Sequence, residues 1–280
     1  MKVSLITTLY NEANNILRFL ESYKKQTRYA DEFIIVDGGS KDETITILKD
    51  FIEKNSVLNI RLIIDKTCSK EFSSGPIAKG RNIAIENAQF DIIAVTDAGC
   101  LLKPYWLEEI TKPFQKDEID VVAGWYEANI TNDFQKIYAE LFMPNLQNLN
   151  IEQFLPSSRS IAFKKECWKK VKHYPIESLT AEDTLFDVNL KKKGCRFYFA
   201  SKALVLWDCP ANYFEAVDKA EYYAKGDGKY KIFFIKFFLR NIFLIFPINI
   251  LLSSKRRKNF FLAYRVMLSY QIGYLKGLFQ

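Results

Sequence analysis

The 280-residue chain contains a single histidine, His173. It sits in the stretch VKHYPIES, between a basic segment and a proline, and reads as a loop histidine satisfied by its neighbours rather than as a metal ligand or a catalyst. Cysteine is nearly as scarce. Cys68, Cys100, Cys167, Cys195 and Cys209 are odd in number and include no C-x-x-C pair, so neither a disulfide framework nor a zinc site is expected, and a reducing compartment fits the chain. MKVSLITTLYNE offers one lysine and a short strand-like run that meets Asn11 and Glu12 too soon to read as a secretory leader, so the protein is expected to stay inside the cell. There is no internal repeat and no low-complexity tract. The net charge of +7, from 40 Lys and Arg against 33 Asp and Glu, comes without a nucleic-acid motif. Much of it gathers in the last quarter, in KRRK at 255–258 and in Lys225, Lys229, Lys231, Lys236 and Arg240. A nucleic-acid partner is therefore not expected.

What is present describes a globular protein, 49% apolar and 26% charged. Over the first two hundred residues short apolar runs alternate with amphipathic ones: VSLITTL, EFIIVDGG, IRLIID and FDIIAVTDAG read as strands, with helical patterns between them. Such alternation predicts an α/β fold, Rossmann-like, with a mostly parallel sheet and helices on both faces. Ligands of such sheets bind beyond the carboxyl ends of the strands. Thr8, Tyr10 and Glu12 lie at the first of these ends, Asp37 at the second and Asp97 at the fourth.

In FIIVDGGSKDE the strand closes on Asp37, and Ser40 with Glu43 matches a capping box for the next helix. Asp37 has two readings. A carboxylate here can accept the ring N–H of a uracil, or it can simply begin an Asx-turn. SGPIAKGRNIAI sets Lys79 and Arg81 near a helix start, where cations and free backbone N–H groups suit a phosphate. LTAEDTLFDVNLKKKG puts Thr180 at an N-cap, Glu182 and Asp183 in the first turn and Gly194 at the far end. Asp183 there can serve the helix dipole, and the same placement keeps a carboxylate ionised to take a proton from a sugar hydroxyl. LPSSRSIAF places Ser157, Ser158 and Arg159 before a strand, where Arg159 can orient an anionic acceptor or lie on the surface.

Five segments in order, TTLYNEANNILRFLESYKKQT, IIVDGGSKDET, AKGRNIAI, TDAG and AEDTLFDVNLKKKG, resemble the family 2 glycosyltransferases of the GT-A fold over roughly residues 1 to 210. The resemblance implies an inverting transfer from a nucleotide-sugar donor, usually UDP- or GDP-linked, to a hydroxyl. On that likeness Thr8, Tyr10 and Glu12 line the base pocket and Asp37 binds the base. Arg81 lies near the donor, Asp97 opens the metal motif and Asp183 is the general base; from their own placement Lys79 joins the donor residues, and Arg159 and Glu182 the acceptor side. The family signature at the metal is Asp-x-Asp, whereas this chain has Gly99 at its last position. Asp208, in ALVLWDCP, stands where many relatives carry a metal-binding His and is a candidate replacement, so Mn²⁺ or Mg²⁺ would be held by Asp97 and Asp208. Relatives often have glycine where His173 stands.

The implied organisation is a GT-A domain at 1–213, with a nucleotide-binding half at 1–118 and an acceptor half at 119–213, followed by a helical apolar appendage at 214–280. The run at 232–252 is about as long as a membrane span, near 20 residues, but Lys236, Arg240, Pro247 and Asn249 interrupt it. With KRRK after it, the segment from 230 to 280 reads as an interfacial helix pair on an anionic membrane surface or as a packed bundle. The expected function is transfer of a sugar to a polysaccharide or lipid-linked acceptor, by a peripheral protein on the cytoplasmic face of the membrane. The competing expectation, prompted by Gly99, is a nucleotide-sugar-binding protein without turnover.

Overall fold

The computed structural model of the protein describes residues 1–235, 237–239, 250 and 253–280. The chain divides into two compact units, one of residues 1–127 and 149–207, the other of 128–148 and 208–280. The division differs from a cut at 213: residues 128–148 belong with the C-terminal helices.

The first unit is built on one eight-stranded sheet. Its strands are β1 (Val3–Leu9), β2 (Glu32–Asp37), β3 (Ile60–Ile64), β4 (Ile92–Val95), β5 (Cys100–Leu102), β6 (Val121–Ala128), β7 (Ile161–Lys164) and β8 (Phe197–Trp207), in the spatial order β3-β2-β1-β4-β7-β6-β8-β5. The helices are α1 (Ile16–Lys24), α2 (Thr44–Lys54), α3 (Pro76–Glu86), α4 (Trp106–Thr111), α6 (Lys165–Lys170) and α7 (Glu182–Lys192). β1 pairs in parallel with β2 and β4, and β2 with β3. β7 runs antiparallel to β4 and to β6, and β5 antiparallel to β8. The sheet is thus mixed, a correction to the mostly parallel expectation. The parallel rule covers the crossovers up to β4, and later connections return the chain in the opposite sense.

Strand alternation divides the core. Val3, Leu5 and Leu9 of β1 join a cluster with Phe19, Leu20, Leu48, Trp106 and Leu107, whereas Ile6 points to the other face with Ala78, Ile85, Trp168, Phe186 and Leu190. α1, α2 and α4 therefore cover one face and α3, α6 and α7 the other, as expected. β4 is a central strand and β5 an edge strand, so the residues between them, Thr96 to Gly99, carry the chain across the sheet. This is why an apolar strand breaks at TDAG.

In the second unit α5 (Asp133–Phe142) starts on Asn132, whose side chain accepts from Gln135 N at 2.8 Å. α8 (Tyr213–Lys229) starts on Asn212 with Glu215 as its reciprocal partner. α9 (Ser254–Lys258) carries the KRRK cluster and α10 (Phe260–Leu278) packs on α8. At that seam a methyl group added to Gly228, Gly273 or Gly277 would lie 2.0 to 2.3 Å from a backbone oxygen of the facing helix. Among the described residues no helix is long and apolar enough to cross a membrane. Of the expected interfacial run, Lys236, residues 240–249 with Arg240, Pro247 and Asn249, and residues 251–252 lie outside the described residues.

Candidate functional site

Two loops at the carboxyl ends of β1 and β2 are laced together. Asn11 N donates to Ser40 Oγ at 2.8 Å, Lys41 N to Asn11 Oδ1 at 2.8 Å, and Glu12 N to Thr44 Oγ1 at 2.8 Å. Asp37 organises the second loop. Its Oδ1 accepts from Gly39 N (2.8 Å) and Ser40 N (2.7 Å), and its Oδ2 from Ser40 Oγ (2.7 Å), with the whole residue buried. The Asx-turn is real. Ser40 is consequently not the cap of α2: that helix begins at Thr44, and the Ser40–Glu43 capping box does not form. Tyr10 is exposed and its ring edge approaches Gly38. Glu12 sits at the start of α1, its Oε2 accepting from Asn15 Nδ2 at 3.2 Å. Thr8 presses against Gly80 of α3.

The centre of the site is Arg81. Its Nη2 donates to Asp97 Oδ1 at 2.7 Å and its Nη1 to Glu182 Oε1 at 2.8 Å, while its carbon lies 5.4 Å from the Tyr174 ring centre. Arg81 is 3% exposed. One guanidinium therefore fastens the TDAG crossover to the first turn of α7, and it is spent on two carboxylates rather than offered at a helix end. Burial would lower its basicity, yet Asp97 and Glu182 raise it. Glu182 is pushed up to about 7, by burial first and then by the charge of Asp183, against the pull of Arg81. Lys79, on the same helix, is half-buried and feels the charge of Asp65. Next to Arg81, Asn82 holds the approach to α7. Its Nδ2 donates to Tyr174 O, and its Oδ1 accepts from Trp168 Nε1 and Tyr174 N, each at 2.9 Å. His173 stacks on Trp168 at 3.8 Å with φ +77°. That is a conformation suited to glycine, and the contact is an ordinary loop packing.

α7 starts one residue later than Thr180 at an N-cap requires. Its cap is Ala181, at φ +67° with no side-chain bond, so the backbone itself turns the Glu182–Asp183 pair inward. Gly194 closes the helix at φ +74°, with Cys195 N bonded to Leu190 O and Gly194 N to Lys191 O. Asp183 Oδ1 accepts from Thr184 N at 2.8 Å and Oδ2 from Ser157 Oγ at 3.3 Å. Ser157 Oγ in turn accepts from Arg159 Nη1 at 2.8 Å, and the Arg159 guanidinium lies 4.4 Å from the Trp207 ring centre and 5.1 Å from that of Tyr126. Asp187, one turn further along α7, is buried and raised well above the usual carboxylate range by burial and by Asp183.

At the metal position the first unit offers Asp97 alone, with one oxygen committed to Arg81 and a side chain 34% exposed. Asp208 belongs to the second unit, where its Oδ1 accepts from Asn129 Nδ2 at 2.8 Å. Among the described residues the one cluster of three potential ligands is Asp120, Glu166 and Cys167, remote from this motif in sequence. Asp120 there is already paired with Lys164 and Arg196. Asp97 can bind a hard dication only as one ligand among several, a role that suits an ion already carried by a diphosphate.

The family model for glycosyl transferase family 2 matches residues 4–173. The chain belongs to glycosyl transferase family 2. Among curated relatives, this family 2 chain is 24% identical over 217 residues, 73% of its length, to the O-antigen chain rhamnosyltransferase RfbN of Salmonella typhimurium. It is 26% identical over 82% of its length to the poly(ribitol-phosphate) beta-N-acetylglucosaminyltransferase TarS of Staphylococcus aureus, covering 37% of that protein. The chain spans between 39% and 66% of the length of the first curated relatives it matches. Among solved structures, a mannosyltransferase from Pyrobaculum calidifontis in complex with GDP-Man and Mn²⁺ matches with a TM-score of 0.71 at 16% identity, over 98% of this chain and 87% of that one. TarS 1–349 in complex with UDP-GlcNAc matches with a TM-score of 0.59 at 20% identity, over 98% and 91%. The fold is GT-A-like.

Arg81, Asp97 and Glu182 meet, and further partners are invisible in the sequence order. Asn82 and Tyr174 are joined by hydrogen bonds spanning 92 residues, and the Tyr174 ring stacks on Phe186 of α7 at 3.9 Å. Asp187 reads in sequence only as part of a charged helix.

Proposed function

We propose that the chain is an inverting glycosyltransferase that moves a sugar from a nucleotide-sugar donor to a hydroxyl of a polysaccharide or lipid-linked acceptor, with Asp183 as general base. The observation that carries this reading is the Arg81 bridge, which brings the donor-side Asp97 and the Glu182–Asp183 pair to one buried guanidinium. Asp183 takes the proton of the acceptor hydroxyl, whose oxygen bonds to the anomeric carbon as the bond to the phosphate breaks. The nucleoside diphosphate leaves and the proton passes from Asp183 to water. Tyr10, Glu12 and the Asp37 loop serve the base and Thr8 stands behind them. Lys79 is the cation for the phosphates, while Arg81 fixes the frame. Asp97 would be the protein ligand of a dication bound to the donor, which would supply neutralisation of the diphosphate charge.

The relatives' names, O-antigen and poly(ribitol-phosphate), support an envelope polysaccharide acceptor. For the second unit we propose attachment to the cytoplasmic face of the membrane. The basic α9 and the exposed Phe261 (83%) and Phe279 (89%) support an anionic lipid surface.

The test is a panel of UDP-glucose, UDP-GlcNAc, GDP-mannose and dTDP-rhamnose, assayed for nucleotide release with the parent and with Asp183→Asn. Turnover of one donor, reduced by a factor on the order of 10² to 10⁴ in the variant, is the expected result. Equal rates in both remove Asp183 from the chemistry.

A further inference from the structure

The base is not alone. Asp183 has a donor on each oxygen, and the two donors differ in kind. On Oδ1 it is the N–H of Thr184, the next residue on its own helix. On Oδ2 it is the hydroxyl of Ser157, 26 residues away on the loop that enters β7. A serine hydroxyl has one hydrogen and two lone pairs. Both lone pairs of Ser157 face Arg159, which donates Nη1 at 2.8 Å and its backbone N at 3.4 Å. The single hydrogen is left for Asp183 Oδ2, so the direction of the hydroxyl is decided by the arginine.

Arg159 is itself fixed from the opposite side. Its guanidinium stands over Trp207, at the end of β8, and over Tyr126, on β6, and those two rings meet edge to face with centres 6.2 Å apart. A cation held on ring faces in this way loses little freedom when it forms its hydrogen bond. The charge of Arg159 and that of Asp183 both reach the Tyr126 hydroxyl, which places all three groups within one electrostatic neighbourhood. The antiparallel half of the sheet thus supplies an aromatic seat, a cation and a polarised hydroxyl, in that order, behind the carboxylate.

We propose that Ser157, oriented by Arg159, is a positioning residue for the Asp183 carboxylate. The inference rests on the reading of Asp183 as general base and deepens it. A direct ion pair between Arg159 and Asp183 would tie up the oxygen that has to receive the proton. Interposing a serine aims Oδ2 while leaving its remaining lone pair for the acceptor. The 3.3 Å separation is long for such a bond, as catalytic hydrogen bonds commonly are before substrate is bound.

The experiment uses the full chain and whichever donor of the four-member panel it turns over, with water as acceptor. kcat and donor KM are compared for the parent, Ser157→Ala, Ser157→Thr, Arg159→Gln, Asp183→Asn and the double variant Ser157→Ala/Asp183→Asn. Expected are a fall in kcat of about tenfold in Ser157→Ala and in Arg159→Gln with donor KM unchanged, recovery to within about twofold in Ser157→Thr, and no further loss when Ser157→Ala is added to Asp183→Asn. A packing defect would not be cancelled by removing the base, so an equal loss in both backgrounds overturns the proposal. An unchanged kcat in Ser157→Ala, or an effect confined to donor KM, overturns it as well while leaving Asp183 as base. An Asp183→Asn variant as active as the parent, or a parent that turns over none of the four donors, removes the general-base reading and this inference with it.

Discussion

A methyl group at position 80 would stand 2.1 Å from the hydroxyl oxygen of Thr8. Helix α3 and strand β1 thus touch at the one residue without a side chain, immediately before Arg81. Thr8 is β-branched and cannot swing away freely. Gly80→Ala is therefore expected to destabilise the first unit by about 1 to 3 kcal/mol through overpacking, and to displace Arg81 with it. Urea unfolding of the parent and the variant measures the effect, and an unchanged midpoint would mean that the helix can shift at no cost.

Arg81 is buried between Asp97 and Glu182. Replacing it by Met leaves two carboxylates without their shared cation, a change expected to cost about 3 to 5 kcal/mol. Arg81→Lys retains the charge but not the fork that reaches both partners, so it should recover only part of the loss. Matching midpoints for Lys and Arg at this position would show that one point charge is enough.

The Glu182 carboxyl, ordinarily at 4.5, is pushed up to about 7 in the folded chain. Between those two values the folded state binds more protons than the unfolded one, so stability falls as pH rises through the window, by at most about 1.4 kcal/mol per pH unit for one group. Glu182→Gln should flatten that slope, although it weakens the bridge to Arg81 at every pH. A residual slope of the same sign belongs to Asp187, which is raised for the same reason. Unfolding free energies at pH 5 and pH 7 decide the matter: equal slopes in parent and variant would refute the assignment to Glu182.

Around Gly99 an added Cβ meets nothing within 4 Å. Gly99→Asp should fold as the parent does and supply the carboxylate that the family signature has there. Calorimetry with Mn²⁺ is expected to detect binding to the parent only when UDP is present, and binding about tenfold tighter in the variant under the same conditions. No gain in the variant would place the ion away from residue 99.

The strands up to β4 and the helices among them were legible in the sequence because each has a hydrophobic period of its own. Signals whose reading depends on competition were less so. Ser40 and Glu43 spell a capping box, but Asp37 lies three residues before Ser40 and takes both its hydroxyl and its N–H. Thr180 spells an N-cap, but the chain turns at Ala181 instead. Arg81 was visible as a cation near a helix start, where local reasoning assigns it to phosphate. Its actual partners lie 16 and 101 residues away, and no local pattern encodes a contact of that range. The segments DVVAGWYEA, SRSIAF and CRFYFA also read as strands and form β6, β7 and β8, but their antiparallel sense escaped, since strand direction after β4 depends on long connections rather than on periodicity.

The seam between α8 and α10 has a consequence for how this protein can vary. Because the two helices meet backbone to backbone at Gly228, Gly273 and Gly277, much of their cohesion depends on the absence of side chains rather than on particular ones. The rings of Phe214 and Phe261, 76% and 83% exposed, stand outside that seam. Substitutions can accumulate across the outer surface while the pairing of the helices persists, so the unit can exchange what it adheres to without relearning how to fold.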